Sequence, residues 1–214
     1  MGNLWEAGGL LWSRDLSTSP RTIHTSTGSG LITFSTANAT TLMPYLAVAD
    51  AAAAQQLISY VHGEDFYDYR PRSVSINGVG PKTWKLGDVL NSTPKIASWL
   101  PLNMYHKLYR DGTYGVPGQD PSLQSPADET KYITSTAYRG RGMIFTGAND
   151  GMLHAFKLGT LELKWTGQGE FDKARLNPTD LANLGKELWA FIPKNALPYL
   201  KYLADPEYCH VYTV

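Results

Sequence analysis

The stretch "FTGANDGMLHAFKLGTLELKW", residues 145–165, decides how this chain is expected to fold. The Asn-Asp-Gly run at 149–151 predicts a tight turn, because these residue types tolerate positive φ. The segment "MLHAFK" (152–157) follows at once and is mostly apolar on both faces, as in a strand buried between two layers. The segment "LELKW" (161–165) alternates apolar and polar residues. Together they predict antiparallel β structure.

The sequence on either side extends this pattern. "GMIFTG" (142–147) predicts a strand before the turn, and "GKELWAFIP" (185–193) predicts a strand that a proline ends, after a helical insertion at about 178–184. Antiparallel strands that pack face to face and end in tryptophan are typical of a propeller blade. The expected fold class is therefore mainly β: a partial β-propeller of antiparallel blades, with a helix near 44–61 and helical insertions.

Individual residues of this stretch have structural interpretations. Trp165 and Trp189 each end a predicted strand, so we expect both rings to be buried. His154 lies on a buried strand and is predicted to be a hydrogen-bonded core residue. Asn149 and Asp150 are interpreted as a turn, because a calcium site needs about six or more oxygen ligands. No catalytic, cofactor-binding or metal-binding residue is predicted.

The first third of the chain mixes strands with one predicted helix. "RTIHTS" (21–26) and "GLITFST" (30–36) are strand-like. Apolar residues recur at helical spacing over 44–61, Pro44 fits the first turn of such a helix, and Gly63 fits its C-terminal cap.

Short strands separated by turns are predicted after this helix. The segment 63–72 is a charged and aromatic loop, and it is followed by strand candidates "SVSI" (73–76), "TWKLGDVL" (83–90) and "KIASWL" (95–100). The composition of 110–130 predicts a long loop.

Composition excludes several classes of protein. Nineteen basic and nineteen acidic residues among 214 give zero net charge, so no nucleic-acid partner is expected. The single cysteine, Cys209, excludes an internal disulfide framework.

No membrane or targeting segment is predicted. The longest apolar run is interrupted by Asp50 and two glutamines, so the chain is not expected to span a membrane. The first residues do not resemble a signal peptide. We expect the chain to be an internal piece of a larger protein.

Enzymatic chemistry is not predicted. The five histidines are far apart and lack the spacing of a zinc site. Cys209 and His210 are adjacent in an apparent strand, where their side chains point to opposite faces and cannot form a dyad.

Several segments resemble one family. "GANDGMLHAF" and "GKELWAFIPKNALPYL", within 147–200, resemble the blade motif of the type IV pilus tip-associated PilC/PilY adhesin family. "WKLGDVLNSTP" (84–94) resembles the entry motif of that family's propeller. The segments 7–25 and 57–72 resemble the sequence before it. The resemblance implies a mixed segment at 1–83 that leads into the C-terminal β-propeller, and incomplete propeller blades at 84–214.

The resemblance also implies a function. It implies a non-enzymatic protein of type IV pilus biogenesis, cell adhesion and twitching motility, with a propeller platform at the pilus tip or cell surface. The expected location is the cell envelope, either the outer membrane or the extracellular pilus tip. The expected partners are the remainder of the propeller, minor pilins or the pilus tip, and a host or abiotic surface. Calcium is implied for the family, but its Asp- and Asn-rich loop is absent from this segment, so no cofactor is predicted here.

Two alternatives remain open. One is a cofactor-free propeller scaffold of the envelope, as in outer-membrane assembly lipoproteins. The other is a fragment of a quinoprotein dehydrogenase, but the lack of an adjacent cysteine pair argues against it.

Residues 84–214 have room for about two or three blades, fewer than the four that close a propeller. We therefore expect the chain to need a partner or a second copy.

Overall fold

The fold is described by a computed structural model that covers residues 5–97, 142–159, 161–165, 171–176 and 178–208. The chain divides into two compact units. The first comprises Met1–Pro94, Phe145–Phe156 and Lys186–Val214, and the second comprises Lys95–Ile144 and Lys157–Gly185. The division at residue 84 that the sequence suggested stays a prediction.

The described residues form both helices and strands. The helices are α1 (Ala7–Ser13), α2 (Ala39–Leu46), α3 (Ala51–His62) and α4 (Leu200–Leu203), with 3₁₀ turns at Thr36–Asn38, Pro178–Asn183 and Leu197–Tyr199. The strands are β1 (Ile23–Thr27), β2 (Gly30–Thr33), β3 (Ser73–Ile76), β4 (Val79–Thr83), β5 (Lys95–Ala97), β6 (Met143–Gly147), β7 (Leu153–Lys157), β8 (Leu161–Trp165), β9 (Phe171–Leu176) and β10 (Glu187–Ile192). No helix of these described residues is long and apolar enough to cross a membrane.

A mixed sheet lies at the centre of the first unit, with its strands in the order β2-β1-β10-β7-β6. Strand β1 pairs antiparallel with β2 and parallel with β10. Strand β10 pairs antiparallel with β7, where Ala190 lies opposite His154, and an irregularity in register falls between Glu187 and Trp189. The N-terminal and C-terminal parts of the chain therefore share one sheet.

One hydrophobic core joins this sheet to the helices. Its largest fully buried side chains come from β1, β10, α2, α3 and α4 and from the turns beside them: Ile23, Phe34, Leu42, Leu46, Leu57, Ile58, Tyr60, Ile192, Leu197 and Leu200. Burying such side chains contributes about 1.5–3 kcal/mol each relative to exposure.

The single helix predicted for 44–61 is wrong, because two helices occupy this region. Pro44 lies inside α2 rather than in the first turn of a helix. Ala47 ends α2 in the left-handed conformation, at φ 53°. The Asp50 side chain then caps α3 by accepting the N–H of Ala53 at 2.8 Å. Gly63, at φ 127°, follows α3 as predicted.

The strand predicted at 83–90 is also wrong beyond its first residue. Thr83 ends β4, and residues 84–89 are irregular. Local contacts replace strand pairing there, since the Trp84 indole donates to the Leu86 carbonyl at 2.7 Å. The strands predicted at 73–76 and at the start of 95–100 are confirmed as β3 and β5. The loop predicted at 110–130 lies outside the described residues.

The opening stretch folds largely as predicted. β6, the turn at Gly151 (φ 80°), β7 and β8 all form. Trp189 was predicted to be buried but is only half-buried, and its ring centre lies 5.7 Å from that of Phe145. The side chain of Trp165 lies outside the described residues. The fold is thus mixed and sheet-rich, with several helices.

The second unit contains a hairpin and a helical turn. β8 pairs antiparallel with β9, Leu161 lying opposite Leu176. The insertion predicted at 178–184 is confirmed as a 3₁₀ helix. Gly185, at φ 69°, follows it and donates its N–H to the Lys157 carbonyl at 2.8 Å.

Candidate functional site

Two oppositely charged side chains meet in the core of the first unit. Arg21, before β1, donates from Nε and Nη2 to the two carboxylate oxygens of Glu187 on β10, both at 2.8 Å. Arg21 also donates from Nη1 to the Val61 carbonyl at 2.9 Å. Both charged side chains are fully buried. Such a bidentate pair fixes the relative position of β1, β10 and the end of α3.

His154 extends this pair into a network of four charged groups. Its Nδ1 lies 2.8 Å from Glu187 Oε1, and its Nε2 lies 3.1 Å from Asp150 Oδ2. Burial alone would lower the pKa of His154, but the Asp150 and Glu187 carboxylates outweigh burial and raise it to about 9. His154 is therefore an imidazolium at neutral pH and donates from both nitrogens.

Asp150 connects this network to the irregular segment at 84–89. Its carboxylate accepts the N–H of Gly87 at 2.9 Å and that of Met152 at 3.1 Å. Burial favours the neutral acid, but the charge and hydrogen bond of His154, with the Gly87 N–H, hold the pKa of Asp150 below its usual value. A Cβ at Gly87 would lie 2.5 Å from the Asp150 backbone nitrogen, so this close approach requires glycine.

Glu187 is the centre of the network. Burial would raise its pKa, yet the Arg21 charge and the hydrogen bonds from His154 and Arg21 hold it well below the usual range. Arg14 adds a third cation, since its Nη1 lies 3.8 Å from Glu187 Oε2 and donates to the Glu187 carbonyl at 2.9 Å. Three cations and two carboxylates thus meet here, and each is held by its neighbours. Each charged group of this arrangement is therefore held by other groups of the first unit. The described residues contain no group of three or more His, Cys, Asp or Glu that could hold a metal ion.

A cavity of about 300 Å³ lies beside the network in the first unit. Asp150 and Met152 form part of its wall, so the turn at 149–151 contributes to both features. Aromatic walls come from Tyr60, Trp84 and Tyr208. Its charged lining residues are Arg70, Arg72, Lys85, Asp88 and Asp150. It is the candidate ligand site of this unit.

Two of the three cations that line the cavity are held by protein groups. Lys85 donates from Nζ to the carbonyls of Leu11, Trp12 and Thr83, each at 3.1 Å. Burial, followed by the nearby arginine charges, lowers the pKa of Lys85 to about 8. Arg72 pairs with Asp65.

The third cation of the cavity, Arg70, is held differently. Its guanidinium carbon lies 4.4 Å above the ring centre of Tyr208. Its Nε is buried and has no hydrogen-bond partner. Among the buried side-chain nitrogens and oxygens of the described residues, this atom is the one without a partner.

Sequence reasoning found only part of this site. His154 is a satisfied core residue, and residues 149–151 form a turn, both as predicted. Arg21 and Glu187 were missed because they are 166 residues apart, and no local pattern connects them. The charged loop at 63–72 did signal the position of Arg70 and Arg72. Cys209 and His210 lie outside the described residues.

Comparison with known proteins identifies relatives of the chain. It is 28% identical over 184 residues to a type IV pilus biogenesis factor PilY1 homolog of Xylella fastidiosa (strain Temecula1), which covers 83% of the chain and 12% of that protein. A second PilY1 homolog of the same strain is 29% identical over 167 residues, which covers 74% of the chain and 8% of that protein. This similarity supports a PilY1-like family. The chain spans about a tenth of the length of these relatives. No family model matches, and no solved structure matches.

Proposed function

We propose that this chain is part of a non-enzymatic protein of type IV pilus biogenesis and adhesion. The observation that carries the proposal is the similarity to two PilY1 homologs over 83% and 74% of the chain. The resemblance of 84–94 and 147–200 to the PilC/PilY family motifs agrees with this similarity. The closed charge network also supports it, since its groups hold one another rather than a substrate.

In this proposal the chain contributes blades to a β-propeller that serves as a rigid platform. The antiparallel pairing of β7 with β10 supports blade strands, whereas the parallel pairing of β10 with β1 departs from an antiparallel blade. Loops between such strands would contact a partner, because recognition is concentrated on loops that a rigid scaffold positions. The partners proposed are minor pilins or the pilus tip, and a host or abiotic surface. The location proposed is the outer membrane or the extracellular pilus tip.

The test is genetic and uses the full-length parent protein in its own host. We expect deletion of the gene to reduce surface pili, measured as pilin in sheared fractions, and to reduce twitching and adhesion. A chromosomal Glu187→Gln variant should reproduce the deletion by unfolding this segment, whereas Glu207→Gln, at an exposed position, should behave as wild type. Normal pilus number and adhesion after gene deletion would contradict the proposal. An absorbance band from a bound quinone in the purified parent protein would contradict its non-enzymatic character.

A further inference from the structure

We propose that the cavity beside the charge network binds a carboxylate group carried on a small apolar or aromatic body, and that Arg70 is the residue that binds it. This inference concerns the ligand chemistry of the cavity. It does not depend on a role in pilus biogenesis.

The first argument is the unsatisfied donor of Arg70. Buried polar atoms in native proteins are nearly always hydrogen-bonded, so an exception needs an explanation. Arg21 and Arg72 each donate to a carboxylate of the protein, and Lys85 donates to three carbonyls. Arg70 Nε has no such partner, although Arg70 lines the same cavity. A bound acceptor would complete its hydrogen bonding.

The second argument is that Arg70 is already held in position. Its backbone N–H donates to the Ala204 carbonyl at 2.9 Å, and its carbonyl accepts the Tyr60 hydroxyl at 3.1 Å. Its guanidinium lies on the Tyr208 ring. A stacked guanidinium presents its donors as a planar fork, which matches the two oxygens of a carboxylate. Little side-chain freedom remains to be lost when a ligand binds.

The third argument is the charge and shape of the cavity. Three cations and two carboxylates line it, and the Asp150 carboxylate is already bonded to His154. The balance favours one negative charge, while the carboxylates of Asp88 and Asp150 disfavour a dianion such as phosphate. The volume, about 300 Å³, is at the lower end for ligand sites, and the aromatic walls suit an apolar body. A single acidic residue of a peptide, or a small aryl acid, has this chemistry.

The experiment uses the full chain and three probes: 3-phenylpropionate, its neutral amide 3-phenylpropionamide, and inorganic phosphate. Binding is followed by NMR on the backbone amides and the arginine Nε–H groups. We expect 3-phenylpropionate to bind in the millimolar range and to shift the Arg70 Nε–H resonance. The amide and phosphate should each bind at least about tenfold more weakly.

Variants separate Arg70 from other cations. Arg70→Gln should weaken binding of 3-phenylpropionate at least about tenfold, because the charged fork is lost. Arg70→Lys, which keeps the charge and loses the fork, should retain part of the affinity. Lys194→Gln is the matched control, since Lys194 is exposed and lies 5.2 Å from the Tyr45 ring centre, away from the lining residues. It should bind as wild type.

Several results would overturn the proposal. These are no shift of the Arg70 resonance with 3-phenylpropionate, equal affinity for the amide, preference for phosphate, or unchanged affinity in Arg70→Gln. If Arg70→Gln does not fold, the comparison of acid and amide at the wild-type Arg70 resonance decides the question alone.

Discussion

Glu187 lies where two buried cations meet, with the fork of Arg21 on one side and the imidazolium of His154 on the other. Burying any one of these charges costs several kcal/mol, and the charges of its partners offset this cost. If one partner is removed, the charge that remains is buried without compensation. The network is therefore sensitive to the loss of one member, even if its net contribution to stability is small.

We predict that Glu187→Gln lowers the free energy of unfolding by about 3–5 kcal/mol, because it leaves Arg21 buried beside a neutral group. Denaturant unfolding followed by circular dichroism measures this. Glu207→Gln, which makes the same chemical change at an exposed position, should alter it by less than about 0.5 kcal/mol. Equal effects of the two variants would show that the network does not hold the core.

The pH dependence of stability follows from His154. Its pKa is raised to about 9 in the folded state, so its contribution is complete below its unfolded pKa and is lost as pH rises toward 9. We predict a loss of about 1.5 kcal/mol between pH 6.5 and 8, from the usual 1.36 kcal/mol per pKa unit.

The other shifted groups act mainly outside this pH window. His62 is the exception at its lower edge, because burial lowers its pKa and stability then rises with pH through its unfolded pKa of about 6.5. The pKa values of Glu187 and Asp150 are lowered, so they affect stability at acid pH. Lys85, whose pKa is lowered to about 8, makes stability rise with pH above that value. The measurement is urea unfolding at pH 6.5, 7.25 and 8, and His154→Gln should abolish the fall in stability over this range. Stability that rises with pH over this range would contradict the assignment.

At the scale of single residues, the sequence could indicate only what local pattern encodes. His154 was predicted to be in the core because its strand neighbours are apolar. Its partners could not be found, because Glu187 comes 33 residues later and the two meet only through the pairing of β7 with β10. Asp150 was predicted to be a turn residue. Its carboxylate also accepts the N–H of Gly87, which lies 63 residues earlier, and no local pattern indicated this contact.

At the scale of elements, the turn between β6 and β7 positions both the network and the cavity wall. Gly151 adopts φ 80°, and an added Cβ would meet Leu200 and Ala196 only at 3.5 and 3.6 Å, which is ordinary contact. Any destabilisation at this position therefore comes from the backbone conformation, not from crowding.

We predict that Gly151→Ala lowers the free energy of unfolding by about 1–2 kcal/mol, because a left-handed backbone disfavours residues with a Cβ. Thermal unfolding gives the comparison with Gly80→Ala, a matched control in β4 with negative φ and nothing within 4 Å of the added atom. The control should be neutral or slightly stabilising. If Gly151→Ala is equally neutral, the turn does not hold the left-handed conformation in solution.

Elements were predictable where a short local pattern of residue types determines them. The Asn-Asp-Gly turn and the alternating strand at 161–165 are examples. The break between α2 and α3 was not predicted, because alanine rarely adopts the left-handed conformation that Ala47 has. Asp50 did carry a signal as a helix cap, but it was interpreted only as an interruption of an apolar run. The irregular segment at 84–89 was missed because side-chain contacts outside any strand pattern hold it. The Trp84 indole donates to the nearby Leu86 carbonyl, and the Gly87 N–H donates to Asp150, 63 residues later.

At the scale of the whole molecule, the parallel pairing of β1 with β10 makes the two ends of the chain interdependent. Ala190 and Ile192 on β10 are fully buried, as is Ile23 on β1. The first unit therefore lacks its central strand if Lys186–Val214 is absent.

We predict that residues 1–185 alone do not form the first unit, because β1 and β7 both lose β10, the strand that joins them in the sheet. Near-ultraviolet circular dichroism should show no fixed aromatic environment. Adding a peptide of residues 186–214 should restore the signal, whereas a peptide of the same composition in scrambled order should not. A native spectrum from residues 1–185 alone would contradict this prediction.

The distance along the chain between Arg21 and Glu187 also has a consequence for biosynthesis. The two residues are 166 positions apart. At 5–20 residues per second, a ribosome needs roughly 10–30 s to add that length. Throughout this interval the nascent chain carries β1 without β10 and a guanidinium without its carboxylate. An unpaired strand edge favours aggregation, so we expect the nascent chain to need chaperone protection until Glu187 has left the ribosome.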